Sequence, residues 1–417
     1  MRHLSFTRGT LLQLDHGVDH YLEGMHMLRR FRWLLVLLAA LSLIAAACGD
    51  DDDSSGDTTT TAGEGAAGEG SIWVLLPDSA TSDRWEKDDR RFFKEAFEEA
   101  GLVEGTDFNI VNAEGDAATQ ISQAEQAIGD GASVILLTSN DSGSGATIID
   151  LAKDAGVAVV EYDRLNVEGS SGGDVYVSFD NVRVGATMAE VLEPAIDDLG
   201  LDQPQVALLN GGEEDNNAFL FRDGYAAVAE ARADAGDWAI VADQFTPGWD
   251  NAEALAIFEQ ILVANNNEVD AVFAANDGLA GSVIAALESA GIDPTTVPVS
   301  GQDATQAGIQ NILLGKQTMT VYKPIKLEAY VAAQAALALR AGEDVTALTG
   351  DFTIIGISVN DGKPTEETSG DGIIPYIALT PIGVTIDNIA DTVIADGFRT
   401  WDELCTGEVE EFCPADR

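Results

Sequence analysis

The sequence predicts an α/β protein built from two doubly wound, Rossmann-like lobes. Three observations support this fold class. The 417-residue chain is longer than a single hydrophobic core usually accommodates. From Ser71 onward, short apolar runs rich in β-branched residues alternate with amphipathic helical patterns, which is typical of parallel βαβ units. The alternation falls into two successive series, so we expect two sheets with a shared cleft at the carboxyl ends of their strands.

The N-terminal segment has the pattern of a bacterial export signal. Basic residues within 27–33 precede LLVLLAALSLIAAA, an apolar stretch of about 14 residues that is too short for a membrane span of about 20. Ala45-Ala46-Ala47 and the following Cys48 resemble the lipoprotein cleavage site at which the cysteine receives a diacylglycerol. We therefore expect 1–47 to be a signal peptide with an upstream extension, with Met27 as the true initiator. A signal anchor followed by a chance cysteine is the alternative.

Segments at both ends of the mature chain are expected to lie outside the lobes. Residues 48–70 comprise the lipidated cysteine and a disordered acidic linker, because 49–70 contains Gly, Ser, Thr and acidic residues without an apolar face. Residues 396–417 form a tail in which Cys405 and Cys413 enclose a short polar loop. In an oxidising compartment these two cysteines are close enough in sequence to form a disulfide. Two free thiols in a frayed tail are the alternative.

Two series of apolar runs define the predicted strands. In the first series, the helix after the first run carries Trp85, Phe92 and Phe97 on one stripe, which predicts a face packed on the sheet. The first series is SIWVLL (71–76), FNIVNA (108–113), SVILLTS (133–139) and VAVVEYD (157–163). The second is VYVSFD (175–180), QVALLNGG (205–212), WAIVADQF (238–245), AVFAAND (271–277) and VPVSGQD (297–303).

Charge and histidine content exclude several classes of function. The formal net charge is −49, and such a field repels phosphate backbones, so nucleic acid is not an expected partner. All four histidines precede residue 27, which leaves the mature chain without the commonest general base. Paired carboxylates could serve a glycosidase, but no Ser–His–Asp order, zinc-ligand spacing or phosphate loop accompanies them. We therefore expect no enzyme, no cofactor and no metal.

Polar side chains gather where the predicted strands end. Carboxylates, amides and an arginine suit a ligand with several hydroxyl groups, each of which donates and accepts hydrogen bonds. Trp85 and Trp249 could add flat apolar faces against a sugar ring. Capping of the next helix explains one such residue well, but it explains poorly why several strand ends carry them. The strand-end residues are Asp163, Arg164, Asp215, Asn216, Asn217, Asn276, Asp277, Gln302 and Asp303.

Several blocks of the sequence resemble D-xylose-binding members of the type I periplasmic sugar-binding family. The blocks span about 71–400, and their shared order and spacing support the resemblance more strongly than any one block. They are DRWEKD (83–88), EYDRL (161–165), YVSFDN (176–181), NGGEEDNNAFLFRDG (210–224), AANDGLAG (274–281), SGQDA (300–304) and QTMTVYKPI (317–325).

The resemblance implies which residues contact the sugar. The first lobe would supply four of them, the second lobe five, and Lys323 would lie at a crossover, with Trp85 and Trp249 sandwiching the ring. Trp85 could instead belong to the core, and Lys323 could simply begin a helix. The implied ligand-binding residues are Arg84, Trp85, Asp163, Arg164, Asp215, Asn217, Trp249, Asn276, Asp303 and Lys323.

The resemblance also implies the limits of the lobes. The chain would cross between lobes near 178–181, 321–324 and 345–350, and these crossings would form a three-segment hinge. The N-terminal lobe would then comprise 71–178 plus 322–345, and the C-terminal lobe 179–321 plus 346–395.

Together with the export signal, the resemblance implies a lipoprotein on the extracytoplasmic face of a bacterial cell membrane. It would capture a monosaccharide, with D-xylose as the first candidate in view of the resemblance, by closure of the lobes. It would then deliver the sugar to an ABC permease. We expect the protein to be a monomer. Relatives that bind glucose, galactose or arabinose share the DNNAF and SGQDA stretches. A broader aldose-binding protein that presents its ligand to a membrane sensor is therefore the alternative. Sugar-responsive repressors share the two-lobed fold but carry a helix-turn-helix where this chain has a signal peptide and an acidic linker.

Overall fold

The computed structural model describes residues 69–79, 82, 84–167 and 169–415. Several predicted features lie outside the described residues: the signal peptide (1–47), Met27 as initiator, the lipidation of Cys48 and nearly all of the linker (48–70). Within the described ranges, no helix has both the length and the apolar character needed to cross a membrane.

The first lobe is a sheet of eight strands with helices packed on it. Its strands are β1 (Ser71–Leu76), β2 (Phe108–Asn112), β3 (Ala132–Leu137), β4 (Ala158–Tyr162), β5 (Val175–Phe179), β10 (Thr353–Ser358), β11 (Pro364–Thr365) and β12 (Ile373–Leu379). Its helices are α1 (Arg90–Glu99), α2 (Ala117–Gly129), α3 (Ser142–Asp154) and α9 (Ile325–Arg340).

The order of the strands in this sheet is β11-β10-β12-β5-β4-β3-β1-β2. Strands β1 to β5 and β12 run parallel, whereas β10 pairs antiparallel with both β12 and β11 at one edge. Strand β5 is buried at every position, as expected where helices cover both faces of a sheet. The carboxyl ends of β1, β4 and β5 therefore meet at one edge.

The second lobe is built on a three-stranded parallel sheet in the order β7-β6-β8, with a separate antiparallel pair, β9 and β13. Its strands are β6 (Gln205–Asn210), β7 (Ala239–Phe245), β8 (Ala271–Ala274), β9 (Thr320–Tyr322) and β13 (Ile382–Val384). Its helices are α4 (Asn181–Asp197), α5 (Asn216–Ala235), α6 (Asn251–Ala264), α7 (Asp277–Ser289) and α8 (Gln306–Leu313), and the tail adds α10 (Trp401–Leu404). The predicted strand 297–303 forms only two single bridges, Val299 to Val272 and Gln302 to Val321.

The structure corrects two predictions about the limits of the lobes. Strands β10, β11 and β12 extend the first sheet, because β12 runs parallel to β5 with Tyr376 opposite Tyr176. The prediction that 346–395 belongs to the second lobe is therefore wrong for 353–379. The predicted third crossing at 345–350 is also wrong, since the chain passes from β12 to β13 at 380–381. The first two crossings lie between β5 and α4 and between β9 and α9, close to the predicted positions.

Two glycines bring the first helices of the second lobe together. A Cβ on Gly185 of α4 would lie 1.9 Å from the carbonyl oxygen of Phe221, and one on Gly224 of α5 would lie 2.2 Å from that of Val182. Only glycine permits this approach of the two backbones. The close packing places Asn181 of α4 beside Asn217 of α5, whose Oδ1 accepts a hydrogen bond of 2.8 Å from Asn181 Nδ2.

Candidate functional site

The structure brings all ten predicted ligand-binding residues together around one cavity in the cleft between the lobes. Three further residues line it that the prediction did not select: Ser82, Phe221 and Gln302. Gln302 follows a strand, as the selected residues do, but Phe221 lies one turn into α5 and has an apolar side chain that favours a core position. The cavity lining is Ser82, Arg84, Trp85, Asp163, Arg164, Asp215, Asn217, Phe221, Trp249, Asn276, Gln302, Asp303 and Lys323.

Arg84 is the best-bonded side chain of the first-lobe wall and is 2% exposed. Its Nε and Nη2 donate to the two carboxylate oxygens of Asp89 at 3.0 and 2.8 Å, and its Nη1 donates to Asp163 Oδ2 at 2.9 Å. Trp85, the next residue, begins a π-helical turn (Trp85–Asp89) that leads into α1. The Arg84 guanidinium stacks 4.1 Å from the centre of the Trp85 ring. Buried charge pairs therefore hold both residues in place.

Asp163 connects several elements at the end of β4. Its Oδ2 accepts from Lys323 Nζ at 2.8 Å as well as from Arg84, and its backbone lies in the left-handed region with φ of 62°. Burial alone would raise the pKa of Asp163, but Lys323 and Arg84 outweigh burial and hold this pKa below its ordinary value. The carboxylate therefore stays charged, and it orients the two cations that face it.

A second carboxyl group behind Arg84 was not predicted as part of the site. Glu328, in the first turn of α9, is fully buried and accepts from Arg84 Nη2 at 3.1 Å through Oε2. Burial raises the pKa of Glu328 well above its usual range, and the nearby Asp163 raises it further. Its sequence context, an acid at the start of an amphipathic helix, is that of an ordinary exposed residue. Only the return of α9 to the first sheet brings it to Arg84.

Two polar residues of the second-lobe wall cap helices. Asp215 Oδ1 accepts from the Asn217 backbone amide at 2.9 Å at the start of α5, and Asn276 Oδ1 accepts from that of Leu279 at 2.8 Å at the start of α7. Capping uses one oxygen of each side chain and leaves other polar atoms facing the cavity. Asp215 and Asn276 therefore cap helices and line the cavity at once.

A loop after the bridge at Gln302 carries Asp303. Asp303 and Ala304 have φ values of 98° and 48°, a left-handed conformation that L-residues adopt only when their surroundings impose it. Asp277 lies beneath this loop and accepts from the backbone amide of Thr305 at 2.8 Å and from Gln317 Nε2 at 2.8 Å. Burial raises the pKa of Asp277 to about 7 in spite of these donors.

The ring of Trp249 faces the cavity from a 3-10 turn (Pro247–Trp249). A Cβ on Gly211 would lie 2.1 Å from the Trp249 ring, so only glycine leaves room for the ring at this place. Phe221 contacts the ring edge-on, with a centroid separation of 6.3 Å. The Nε1 atoms of Trp85 and Trp249 and Oε1 of Gln302 are buried and have no hydrogen-bond partner among the described residues.

Direct bonds join the two walls. Asn217 Nδ2, from the second lobe, donates to the backbone oxygen of Asp163 at 3.0 Å. Arg164 Nε and Asp215 Oδ2 form an ion pair at 3.1 Å across the cleft. Burial raises the pKa of Asp215, and Arg164 counteracts part of that shift. The lobes are therefore in contact beside the cavity.

The fold and the cavity agree with comparisons to known proteins. Residues 73–344 match the family model described as "Periplasmic binding protein domain". The chain belongs to the periplasmic binding protein family.

Among members of this family, the chain is 38% identical to the D-xylose-binding periplasmic protein of Escherichia coli, over 78% of this chain and 90% of that protein. It is 36% identical to the protein of the same name from Haemophilus influenzae, over 79% of this chain and 91% of that one. A crystal structure of a carbohydrate transporter solute-binding protein from Chloroflexus aurantiacus, in complex with D-glucose, aligns with a TM-score of 0.68 at 28% identity. That alignment covers 80% of this chain and 97% of that one.

Family membership agrees with a binding site rather than a catalytic one. The two bacterial relatives are named for what they bind, not for a reaction. In the part of the chain that the structure describes, no group of three or more His, Cys, Asp or Glu side chains is placed to hold a metal ion.

Proposed function

We propose that this protein is the extracytoplasmic binding lipoprotein of a sugar ABC importer, and that its cavity binds a monosaccharide with D-xylose as the best candidate. One observation supports this most strongly. Side chains from both lobes, together with Lys323 at a crossing, line one cavity at the place where the two lobes contact each other.

The chemistry of the lining fits a ligand with several hydroxyl groups. A sugar hydroxyl both donates and accepts, so it can satisfy an indole N–H of Trp85 or Trp249 and the Oε1 of Gln302 in one site. Asp163, Asp303 and Lys323 supply charge-assisted hydrogen bonds, which are stronger than neutral ones. Trp249 offers a flat apolar surface for the C–H face of the ring, and we propose that Trp85 faces the other side.

Closure of the lobes is the proposed mechanism of capture. Only a closed arrangement lets Arg164 meet Asp215 and lets Asn217 reach Asp163. A ligand that contacts both walls therefore binds the closed form better and shifts the equilibrium towards it. The crossings at 179–181, 322–325 and 379–382 would act as the hinge. A lipid on Cys48 would keep the closed protein near its permease, and we propose that it works as a monomer.

A broader aldose specificity is the alternative. The solute-binding protein from Chloroflexus aurantiacus holds D-glucose and shares the fold over nearly its whole length. A cavity that accepts hexoses and presents them to a membrane sensor would use the same residues. The choice between pentose and hexose rests on whether the lining leaves room for one more hydroxymethyl group.

Calorimetry with a panel of pentoses and hexoses tests the proposal. We expect D-xylose to bind with a Kd near the micromolar range, about −8 kcal/mol, and more tightly than D-glucose, D-galactose or L-arabinose. Equal affinity for hexoses would favour the broader binding protein. Absence of binding by every monosaccharide would overturn the proposal, as would conversion of any sugar or xyloside to a product.

A further inference from the structure

The C-terminal tail contacts both lobes next to the sugar cavity, and the proposed function does not account for it. The tail is attached to the second lobe through α8. Gln306 Nε2 donates to the backbone oxygen of Glu403 at 2.8 Å, and Gln310 Nε2 donates to that of Leu404 at 2.9 Å. A disulfide joins Cys405 to Cys413 just beyond these contacts. Hydrogen bonds therefore attach the tail to α8, and the disulfide closes a short loop within the tail itself.

One side chain of the tail reaches across to the first lobe. Arg399 is 6% exposed, and its Nη2 and Nη1 donate to the carboxylate of Asp88 at 3.1 and 3.3 Å. Asp88 is itself 3% exposed and lies in the π-helical turn that begins with Trp85. A buried arginine of the second lobe thus holds the turn that carries a wall of the cavity.

The same guanidinium also holds the other wall. Arg399 Nε donates to the backbone oxygen of Ala304 at 3.1 Å, and Ala304 directly follows Asp303 in the strained loop. The neighbouring Phe398 packs between Phe92 of α1 and Tyr322 of β9, at centroid distances of 6.5 and 5.0 Å. Donors of one side chain therefore connect the segments that position Trp85 and Asp303.

We propose that Arg399 is a positioning residue for ligand binding, which ties the Trp85 turn of the first lobe to the Asp303 loop of the second and stabilises the closed arrangement. The proposal rests on the proposed function only for its ligand. Arg399 does not line the cavity, so its effect on affinity is transmitted through Asp88 and Ala304. The tail thereby becomes part of the binding apparatus.

The geometry explains why an arginine is suited to this position. Its Nε and two Nη atoms are rigidly arranged, so one side chain can serve a carboxylate and a carbonyl at once. A lysine has a single nitrogen and would keep the charge without the three fixed directions. Loss of Arg399 removes a buried partner of the Asp88 carboxylate in the closed form. The closed form is then less stable, and the sugar dissociates faster.

The test measures D-xylose binding by full-length protein carrying Arg399→Gln, Arg399→Lys or Asp88→Asn, and the Arg399→Gln/Asp88→Asn double variant. We expect Arg399→Gln to raise the Kd roughly tenfold or more, mainly because D-xylose dissociates faster. Tryptophan fluorescence measures the dissociation rate. Arg399→Lys should recover part of the loss. The loss of affinity in the double variant should be smaller than the sum of the two single losses, because both changes break the ion pair between Arg399 and Asp88. Arg183→Gln, at an exposed pair with Glu190, is the matched control and should leave the Kd unchanged.

Unchanged D-xylose affinity in folded Arg399→Gln would overturn the proposal, as would losses that simply add in the double variant. If Arg399→Gln does not fold, Asp88→Asn replaces it, since the change conserves shape, and the same tenfold increase is expected. If the unmodified protein binds no sugar, hydrogen exchange without ligand still decides the matter. Faster exchange in both 84–89 and 302–305 of the Arg399 variant supports the positioning role, and faster exchange in the tail alone excludes it.

Discussion

The two walls of the cavity are built on different physical principles. The first-lobe wall is held by buried charges far apart in sequence: Arg84 meets Asp163 and Glu328 across 79 and 244 residues. The second-lobe wall is held by local bonds, since Asp215 and Asn276 cap helices that begin within three residues of them. One wall thus depends on the whole tertiary structure, and the other depends largely on its own strand-to-helix turns.

The difference affects how each wall responds to change. Removing one member of a buried charge cluster leaves its partners uncompensated, which costs more than the net value of the interaction. Removing one polar group of a capping residue costs about 1 kcal/mol and leaves the helix in place. We therefore expect substitutions in the first-lobe wall to affect folding and binding together, and those in the second-lobe wall to affect mainly binding.

The largest effect is expected for Asp163→Asn. The variant keeps the shape of the side chain but leaves Arg84 and Lys323 buried without their shared carboxylate, so we expect a loss of about 3 kcal/mol in the free energy of unfolding. Sugar binding should be abolished. Denaturant unfolding and calorimetry measure both quantities. Asp197→Asn, at an exposed pair with Arg232, is the control and should change the stability by at most about 1 kcal/mol.

If Asp163→Asn unfolds at the same denaturant concentration as the unmodified protein, the charge cluster does not hold the first-lobe wall, and the contrast between the walls fails.

A smaller effect on binding is expected for Trp249→Ala. Loss of the ring removes an apolar surface of the cavity, so we expect the affinity for sugar to fall roughly tenfold or more. Trp238→Ala is a matched control, because Trp238 is equally buried but does not line the cavity. Both variants should lose about 3 kcal/mol of stability, whereas calorimetry should show weaker binding for Trp249→Ala alone. Equal affinities in the two variants would remove Trp249 from the site.

Gly211→Ala sharpens the comparison within the second-lobe wall. The added methyl group would lie 2.1 Å from the Trp249 ring, so the ring must move. We expect a loss of about 1–3 kcal/mol in stability and several-fold weaker sugar binding. Gly281→Ala is the control, since a methyl group at that position of α7 meets open space and should stabilise the helix by up to about 1 kcal/mol. Unchanged affinity in Gly211→Ala would mean that the ring position is not critical.

A difference in pH dependence is also expected between the two walls. Burial raises the pKa of Asp277 to about 7, against about 3.9 for an unfolded aspartate. The contribution of Asp277 to the free energy of unfolding is therefore present below about pH 4 and is lost as the pH rises to about 7. The loss is at most about 1.4 kcal/mol for each pH unit. Asp163, with its lowered pKa, contributes stability that is lost only as the pH falls below the range of an unfolded aspartate.

Urea unfolding between pH 5 and 8 tests this difference. We expect the stability of the unmodified protein to fall more steeply with rising pH than that of Asp277→Asn. Parallel profiles for the two proteins would show that Asp277 ionises as it does in the unfolded chain.

The correct predictions share a local origin. Alternating strand and helix patterns predicted the two-lobed α/β fold, because burial on both faces of a parallel sheet leaves continuous apolar runs at fixed intervals. Polar residues at strand ends predicted which side chains meet at the cavity, because parallel strands bring their carboxyl ends to one edge of a sheet. Asp215 and Asn276 were found in this way, each beside the helix that it caps.

The errors and omissions concern contacts between distant segments. Strands β10 and β12 are apolar runs that either sheet could accept, and only the pairing of β12 with β5 assigns them to the first lobe. Glu328 resembles an exposed helical acid until α9 returns to Arg84. Arg399 lies in a tail with no pattern of its own, yet it contacts Asp88 across 311 residues.

The sequence by itself determined the fold class, the positions of most strands and the strand-end polar residues at the cleft, since each follows from the spacing of residues within one or two elements. Arg84 and Lys323 were implied by the family resemblance. The tertiary structure decided the lobe to which the last strands belong, the buried charges behind Arg84 and the reach of the tail. The physical reason is that a charge or an edge strand has no preferred partner along the chain. Its partner is whichever group the packing of the whole molecule brings within reach and isolates from water.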